Sequence, residues 1–461
     1  MAATRSESHK TPASRFERAL NRWDVFVLAF GAMIGWSWVV LADVWVGSGG
    51  SLGATLAFLI GGTVIVLIGL LYAELASALP YVGGEHVYVG RAFGRGVAFV
   101  GIWGIIFGYA SVVVFEAIAF PFALSWLVPS IQRGYWWTVA GYDVTGGEVA
   151  VGALAAVAMT GINIAGVVVA ARVQAIALLL LVGGGVVLVT GALFGESVAP
   201  APAAMWVGWG GIATVLIGVP FLFLGFDVIP QSAEEIGAKP RDIGRMIVVS
   251  ILAAVLFYVA VTLAVGFSGV GDNSLGAASA AARLWQSPTA GVAVVIAGIA
   301  GIITSWNAFL IGGSRAMFAL AESGDLPRCF AALHPRFHTP WVAVLTIGGL
   351  SVFAPMLGRN ALIWIVNAGG LGIVVSYGLV AAAFIALRRK EPTLPRPYVV
   401  PAGKWVATVG LALTAAMALL YLPGSPSALL WPQEWALLMG WCALGAVLWL
   451  ASLRLSHRSR G

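Results

Sequence analysis

The chain has 461 residues, of which 60% are hydrophobic and only 10% charged, with a mean hydropathy of +0.96; no soluble domain of that length has such a composition. The net charge of +6 does not mark a nucleic-acid binder, because the basic residues stand in connections between apolar runs rather than on one folded face. Two distant cysteines, Cys329 and Cys442, exclude a disulfide or metal framework built on cysteine.

Residues 1–23 read as a short cytoplasmic tail: they are basic and contain no apolar core followed by a small-residue cleavage site. About 20 apolar residues are needed to cross the hydrocarbon core. The sequence supplies twelve such candidates, near 24–46, 52–78, 94–127, 148–169, 172–194, 209–232, 244–270, 289–320, 341–358, 361–387, 404–422 and 434–453. The alternate connections hold Arg91 and Arg95, Arg172, Lys239, Arg241 and Arg245, Arg328 and Arg336, and Arg388 to Lys390 with Arg396; Arg454, Arg458 and Arg460 follow the last span. The connections on the other side offer only Arg133, Arg283 and Arg359. That partition predicts a lipid-embedded, all-α polytopic membrane protein of twelve transmembrane helices, with both termini, 1–23 and 454–461, in the cytoplasm.

The first span is interrupted at Gly31-Ala32-Met33-Ile34-Gly35-Trp36-Ser37, and the sixth at Leu222-Phe223-Leu224-Gly225-Phe226-Asp227. A break in a membrane helix is tolerated only where it is buried in protein or lines a cavity. Two breaks at matching positions of two halves mark a transporter's substrate site. Spans 1–5 (24–194) and 6–10 (209–387) are then inverted repeats, because an odd number of helices per half turns the second upside down; spans 11 and 12 (404–453) lie outside that symmetry. Helix packing through small residues is the competing reading of such glycines.

Four segments then carry a resemblance. They are Tyr72-Ala73-Glu74-Leu75 with Pro80-Tyr81-Val82-Gly83-Gly84-Glu85; Phe221 to Asp227 with Ala233-Glu234-Glu235 and Pro240-Arg241-Asp242; Ser314-Arg315 with Gly324-Asp325-Leu326-Pro327; and Leu387-Arg388-Arg389 with Arg396-Pro397-Tyr398. In this order the chain resembles amino acid permeases of the amino acid, polyamine and organocation superfamily. The resemblance implies a LeuT-like fold, a 5+5 inverted repeat with broken helices 1 and 6, and secondary transport of amino acids or small amines by alternating access. It also implies that backbone at Ile34, Gly35, Trp36 and Ser37 receives a substrate carboxylate, and that Phe221, Phe223 and Leu224, beside Gly225, hold the ammonium, with Phe221 closing over it. The chain departs from the family's pattern at Trp36 and Trp38, where relatives carry a small residue and a glycine. These indoles either pack a cationic amine or seal against neighbouring helices.

Charges at membrane depth are functional hypotheses. Asp227 either caps the half-helix after the second break or handles a proton. Glu116 and Asp43, in the outer halves of spans 3 and 1, are candidates for amine or proton binding. Thr304, Ser305 and Asn307 either donate oxygens to a cation or bond across helices. The lysine that several relatives carry in span 5 is Leu181 here. Coupling to a proton or to sodium through these groups is therefore expected alongside uncoupled facilitation or exchange. Arg315 is expected to pair with Glu322 or Glu234, and His86 to be surface-exposed. No cofactor and no enzymatic activity are expected, since no phosphate loop or zinc-protease spacing occurs. A channel is disfavoured because the spans show only isolated polar groups. Oligomeric state is not legible.

Overall fold

The computed structural model describes residues 18–195, 205–269, 275–425 and 428–458. Most of the expected N-terminal tail, with His9, and Arg460 lie outside the described residues. The first described helix starts on a capping box: the Asn21 side chain accepts from the amides of Trp23 and Asp24, and the Asp24 carboxylate accepts from the Asn21 amide at 2.9 Å. Two donors that a helix start leaves open are thereby satisfied.

The helices follow as α1 (Arg22–Met33), α2 (Ser37–Val40), α3 (Ala42–Ala78), α4 (Glu85–Phe93), α5 (Arg95–Ser125), α6 (Gly146–Ile164), α7 (Val167–Phe194) and α8 (Trp209–Leu222). After the second break come α9 (Val228–Gln231), α10 (Pro240–Phe267), α11 (Gly276–Leu284), α12 (Pro288–Glu322), α13 (Trp341–Phe353), α14 (Ala361–Lys390), α15 (Gly403–Leu420) and α16 (Gln433–Arg458). Among the described residues ten segments are long and apolar enough to cross a membrane, which makes this a polytopic membrane protein. Shorter apolar helices stand at the sixth and ninth expected spans, Trp209–Leu222 and Trp341–Leu357.

The expected connection between the first two spans is the sharp kink at Gly50 (φ 75°, ψ 162°), which divides α3 into two helices joined without a longer loop. Sequence reading also missed two short helices, α4 and α11, and a hairpin of β1 (Tyr135–Val139) and β2 (Tyr142–Thr145). The hairpin turns on Ala140 and Gly141, both at positive φ, the geometry that two-residue hairpin turns require.

The core is built on α5 and α12, the most deeply buried of the long apolar helices, whereas α15 and the last helix are the least buried. The chain therefore threads its two most enclosed helices between the others and leaves α15 and α16 on the periphery. Packing pairs α3 with α10 and α8, α12 with α7 and α5, and α14 with α5 and α15. Small residues allow the closest of these approaches: a methyl group at Gly301 of α12 would stand 2.5 Å from the Gly35 carbonyl oxygen.

Candidate functional site

The two interruptions meet. Backbone leaves α1 at Ile34 (φ −110°, ψ 81°) and resumes at Ser37; it leaves α8 after Leu222 and resumes at Val228. Gly225, at φ 137°, occupies a conformation that side-chain-bearing residues rarely adopt. A Cβ there would fall 2.5 Å from the Ala32 Cβ and 2.9 Å from the Met33 amide nitrogen, so the second break is pressed directly on the first. Tyr258 of α10 ties them together: its hydroxyl lies 2.8 Å from the Met33 carbonyl oxygen and 3.3 Å from that of Leu222. Both carbonyls belong to helix ends that lost their partners at the breaks.

Between the breaks lies a cavity of about 20 Å³, lined by Gly35, Ser37, Glu116, Phe221, Leu224 and Ser305, with Ala32, Met33, Val112, Phe115, Leu222, Tyr258 and Phe309. That volume suits one water-sized group. Glu116 reaches it because Val112, Phe115 and Glu116 share one face of α5, at spacings of three and four residues. Its Oε1 accepts from the Ser305 hydroxyl, and its Oε2 is buried with no hydrogen-bond partner among the described residues. A methyl group at Gly35 would stand 3.1 Å from Glu116 Oε1 and 3.2 Å from Ser305 Oγ. The glycine thus lets the first break lie against the acid.

Ser37 and Phe115 also line a second cavity, of about 510 Å³, together with Trp36, Val40, Arg359 and Asn367. These two residues are the wall between the chambers. The Arg359 guanidinium sits 4.0 Å over the ring of Phe122 in the same chamber. Two further apolar cavities, of about 280 and 370 Å³, lie on the flank of α16 against Trp441 and touch neither break.

The other expected site residues fall elsewhere. Trp38 is fully buried, edge-on to Phe257 with centroids 5.3 Å apart, and Trp36 packs over Gly298; neither indole lines the small cavity. Ile34, Phe223 and Gly225 likewise do not line it. The Asp227 carboxylate accepts from the Gly225 amide at 2.8 Å and from the Tyr109 hydroxyl at 2.6 Å. It braces the break itself and makes no side-chain cap on α9. Asp43 is half-buried against Gly276 of α11 and accepts from the Val44 amide, away from both chambers. Thr304 bonds back to the Gly301 carbonyl. Asn307 joins a buried amide chain, donating to Gln174 Oε1 and Ala170 O and accepting from Asn163. Sequence reading missed Tyr109, Tyr258 and Phe115. Only Tyr109 carried a signal, a polar tip two helical turns from Glu116 on the same span.

Apart from Phe221 to Asp227, which forms the second break, the family-like segments gather at the end of the bundle from which α1 starts. Glu74 accepts from Arg388 at 2.9 and 2.5 Å, from Arg396 at 3.1 Å and from the Val400 amide at 2.8 Å. Asp325 gathers Arg95, Ser323, Trp449 and His86. Arg315 is buried and pairs with Glu235 at 2.9 Å, not with Glu322 or Glu234 as expected, because the 3-10 turn Ala233–Glu235 aims the second of its two acids at α12. His86 is not on the surface either: its side chain is 15% exposed and 3.3 Å from Asp325. Burial holds its imidazole below the usual value, with Asp325 opposing and Arg95 reinforcing that shift. Glu85 is fully buried and bonded to Gln231; burial pushes its carboxyl well above the usual range, and the neighbouring Asp227 adds to it.

Comparison with known proteins matches residues 20–448 to the amino acid permease family model. The chain is 28% identical to the branched-chain amino acid permease BcaP of Bacillus subtilis, over 84% of each chain. It is 24% identical to the methylthioribose transporter of that organism, over 96% of this chain and 95% of the relative. Its identity to the aspartate-proton symporter of Bacillus subtilis is 24%, over 87% of this chain and 78% of the relative. With the match running across nearly all of the sequence, the chain belongs to the amino acid permease family.

Proposed function

We propose that the protein is a secondary transporter that carries amino acids or related small amines across the cell membrane by alternating access. The observation that carries this reading is the meeting of both helix breaks on one buried cavity with the Glu116 carboxyl in its wall. In this reading the helices make twelve crossings, with spans 1–5 and 6–10 as inverted halves and both termini in the cytoplasm. Backbone at Ile34 to Ser37 receives a carboxylate, as helix N-termini favour anions. Glu116, Ser305, Phe221 and Leu224 take the amine side. The ion-pair end of the bundle, with Arg315–Glu235 and Glu74–Arg388, is the closed cytoplasmic gate, and the larger chamber at Arg359 is the outer vestibule. A cavity sized for one water belongs to a state closed around the site, so cargo enters only as Phe115 and Phe221 move. Proton coupling is favoured by the buried acids, and one relative is by name a proton symporter.

Counterflow into liposomes preloaded with unlabelled amino acids tests the reading. Saturable accumulation of at least one labelled amino acid or amine, abolished by Gly225→Ala, is the expected result. Flux that rises without saturation would instead indicate a channel.

A further inference from the structure

The geometry points to Glu116 as a single point of exchange, at which a proton and the ammonium group of the cargo are held alternately. This deepens the transport reading by giving the site a cargo chemistry and a proton count. Glu116 is 2% exposed, and its Oε2 is left without a partner on the wall of the cavity. Among the described residues, the elements that line the cavity with it bring no counter-charge. The first break offers Gly35 and Ser37, α8 offers Phe221, Leu222 and Leu224, and α12 offers Ser305 and Phe309. Tyr258 of α10 is the one other titratable group on that wall, and its proton is engaged by the carbonyls of Met33 and Leu222. The second acid near the breaks, Asp227, is satisfied by Tyr109 and Gly225 and does not line the cavity. An isolated carboxylate in such surroundings is costly. The site therefore takes one positive charge, and both a proton and an ammonium supply it.

Ser305 fits both occupants without moving. Its Oγ lies within hydrogen-bond reach of Glu116 Oε1 and also 3.0 Å from the Gly301 carbonyl oxygen. With the acid protonated, Glu116 donates to Ser305 and the serine proton turns to Gly301. With the acid ionised, the serine proton turns to Oε1, and Oε2 is left to accept from an ammonium N–H. The aromatic wall suits the same cargo, since Phe115 and Phe221, with centroids 6.2 Å apart, and Tyr258 present ring faces or edges to one cation-sized space. The step is balanced: the carboxylic O–H breaks, its proton leaves to water, and the ammonium, unchanged in its bonds, takes the carboxylate as counter-ion. No net charge enters the site.

The smallest organic probe is methylammonium. Purified protein in weakly buffered detergent solution is titrated with methylammonium chloride at several pH values from about 5 to about 9, and released protons are read with an indicator dye. About one proton per protein is expected, released saturably, with release falling at least tenfold in Glu116→Gln and persisting in Glu116→Asp. Both variants are checked for a monodisperse elution profile, and Ser305→Ala, which keeps the acid, is expected to retain release at weaker methylammonium affinity. Equal release from Glu116→Gln, or no release from the native protein at any pH, overturns the exchange. Counterflow of amino acids is run in parallel. Transport without proton release defeats this inference alone, whereas release without transport of any amino acid or amine defeats the transport reading and leaves the exchange standing.

Discussion

Glu74 and Arg388, 314 residues apart in sequence, are joined by two hydrogen bonds at the end of the bundle where α3 meets α14. Arg396 shares the same carboxylate, so one acid pairs with two guanidinium groups and also accepts from the Val400 amide. Removing one member of a buried pair leaves the others uncompensated, which costs about 3–5 kcal/mol. Arg388 keeps 20% of its side chain exposed, so the lower end of that range applies. Glu74→Gln should therefore destabilise the protein by about 3 kcal/mol in thermal or denaturant unfolding, and Glu74→Gln with Arg388→Met should cost less than the sum of the two single changes. Additive losses would show that the pair is not energetically coupled.

Gly225→Ala places a methyl group in a backbone conformation at φ 137° and 2.5 Å from Ala32. The conformational strain alone is worth about 1–3 kcal/mol, and the two breaks must separate to relieve the contact. Loss of most counterflow activity is expected, with a lowered midpoint of thermal unfolding. An alanine variant that transports normally would mean that the breaks are not held as described.

Tyr258→Phe removes the single hydroxyl that serves the Met33 and Leu222 carbonyls while keeping the ring against Phe58, with which it stacks at 5.1 Å. Leaving a buried acceptor unsatisfied costs about 1–3 kcal/mol. Because those carbonyls flank the cavity, the loss should be greater in substrate affinity than in fold stability. Ligand-induced thermal shifts compared between native and variant protein separate the two effects.

His86 gives a pH dependence of defined sign. Its folded value is lowered, chiefly by burial, so the unfolded chain binds the proton more readily. Stability is therefore present above the unfolded value of about 6.5 and falls as pH drops from there toward the folded value. His86→Gln, which keeps a donor toward Asp325, should flatten the slope of unfolding midpoint against pH between about 6.5 and 5. An unchanged slope would assign that dependence to other groups whose folded values are lowered.

Much of the architecture was legible because the bilayer imposes a length and a hydropathy that single residues cannot disguise. The interruptions at Gly35 and Gly225 were legible for the same reason, as glycine-centred gaps in apolar runs that membrane burial would otherwise forbid. The partners were not. Arg315 faced acids both on its own helix and in a distant loop, and only the direction of the turn at Ala233–Glu235 chose Glu235. His86 looked like a loop residue, and the turn of α4 carries it under Asp325.

The sequence by itself determined a multi-pass helical membrane protein of the permease family, with two places where its helices break, because those properties are local sums of hydrophobicity and backbone freedom. Only the tertiary structure decided that Glu116 stands in the wall of the cavity while Trp38 and Asp43 do not, and that Tyr258 joins the two breaks. Those outcomes depend on helix rotation, and at 100° per residue a shift of one position moves a side chain from the cavity to a neighbouring helix or to lipid.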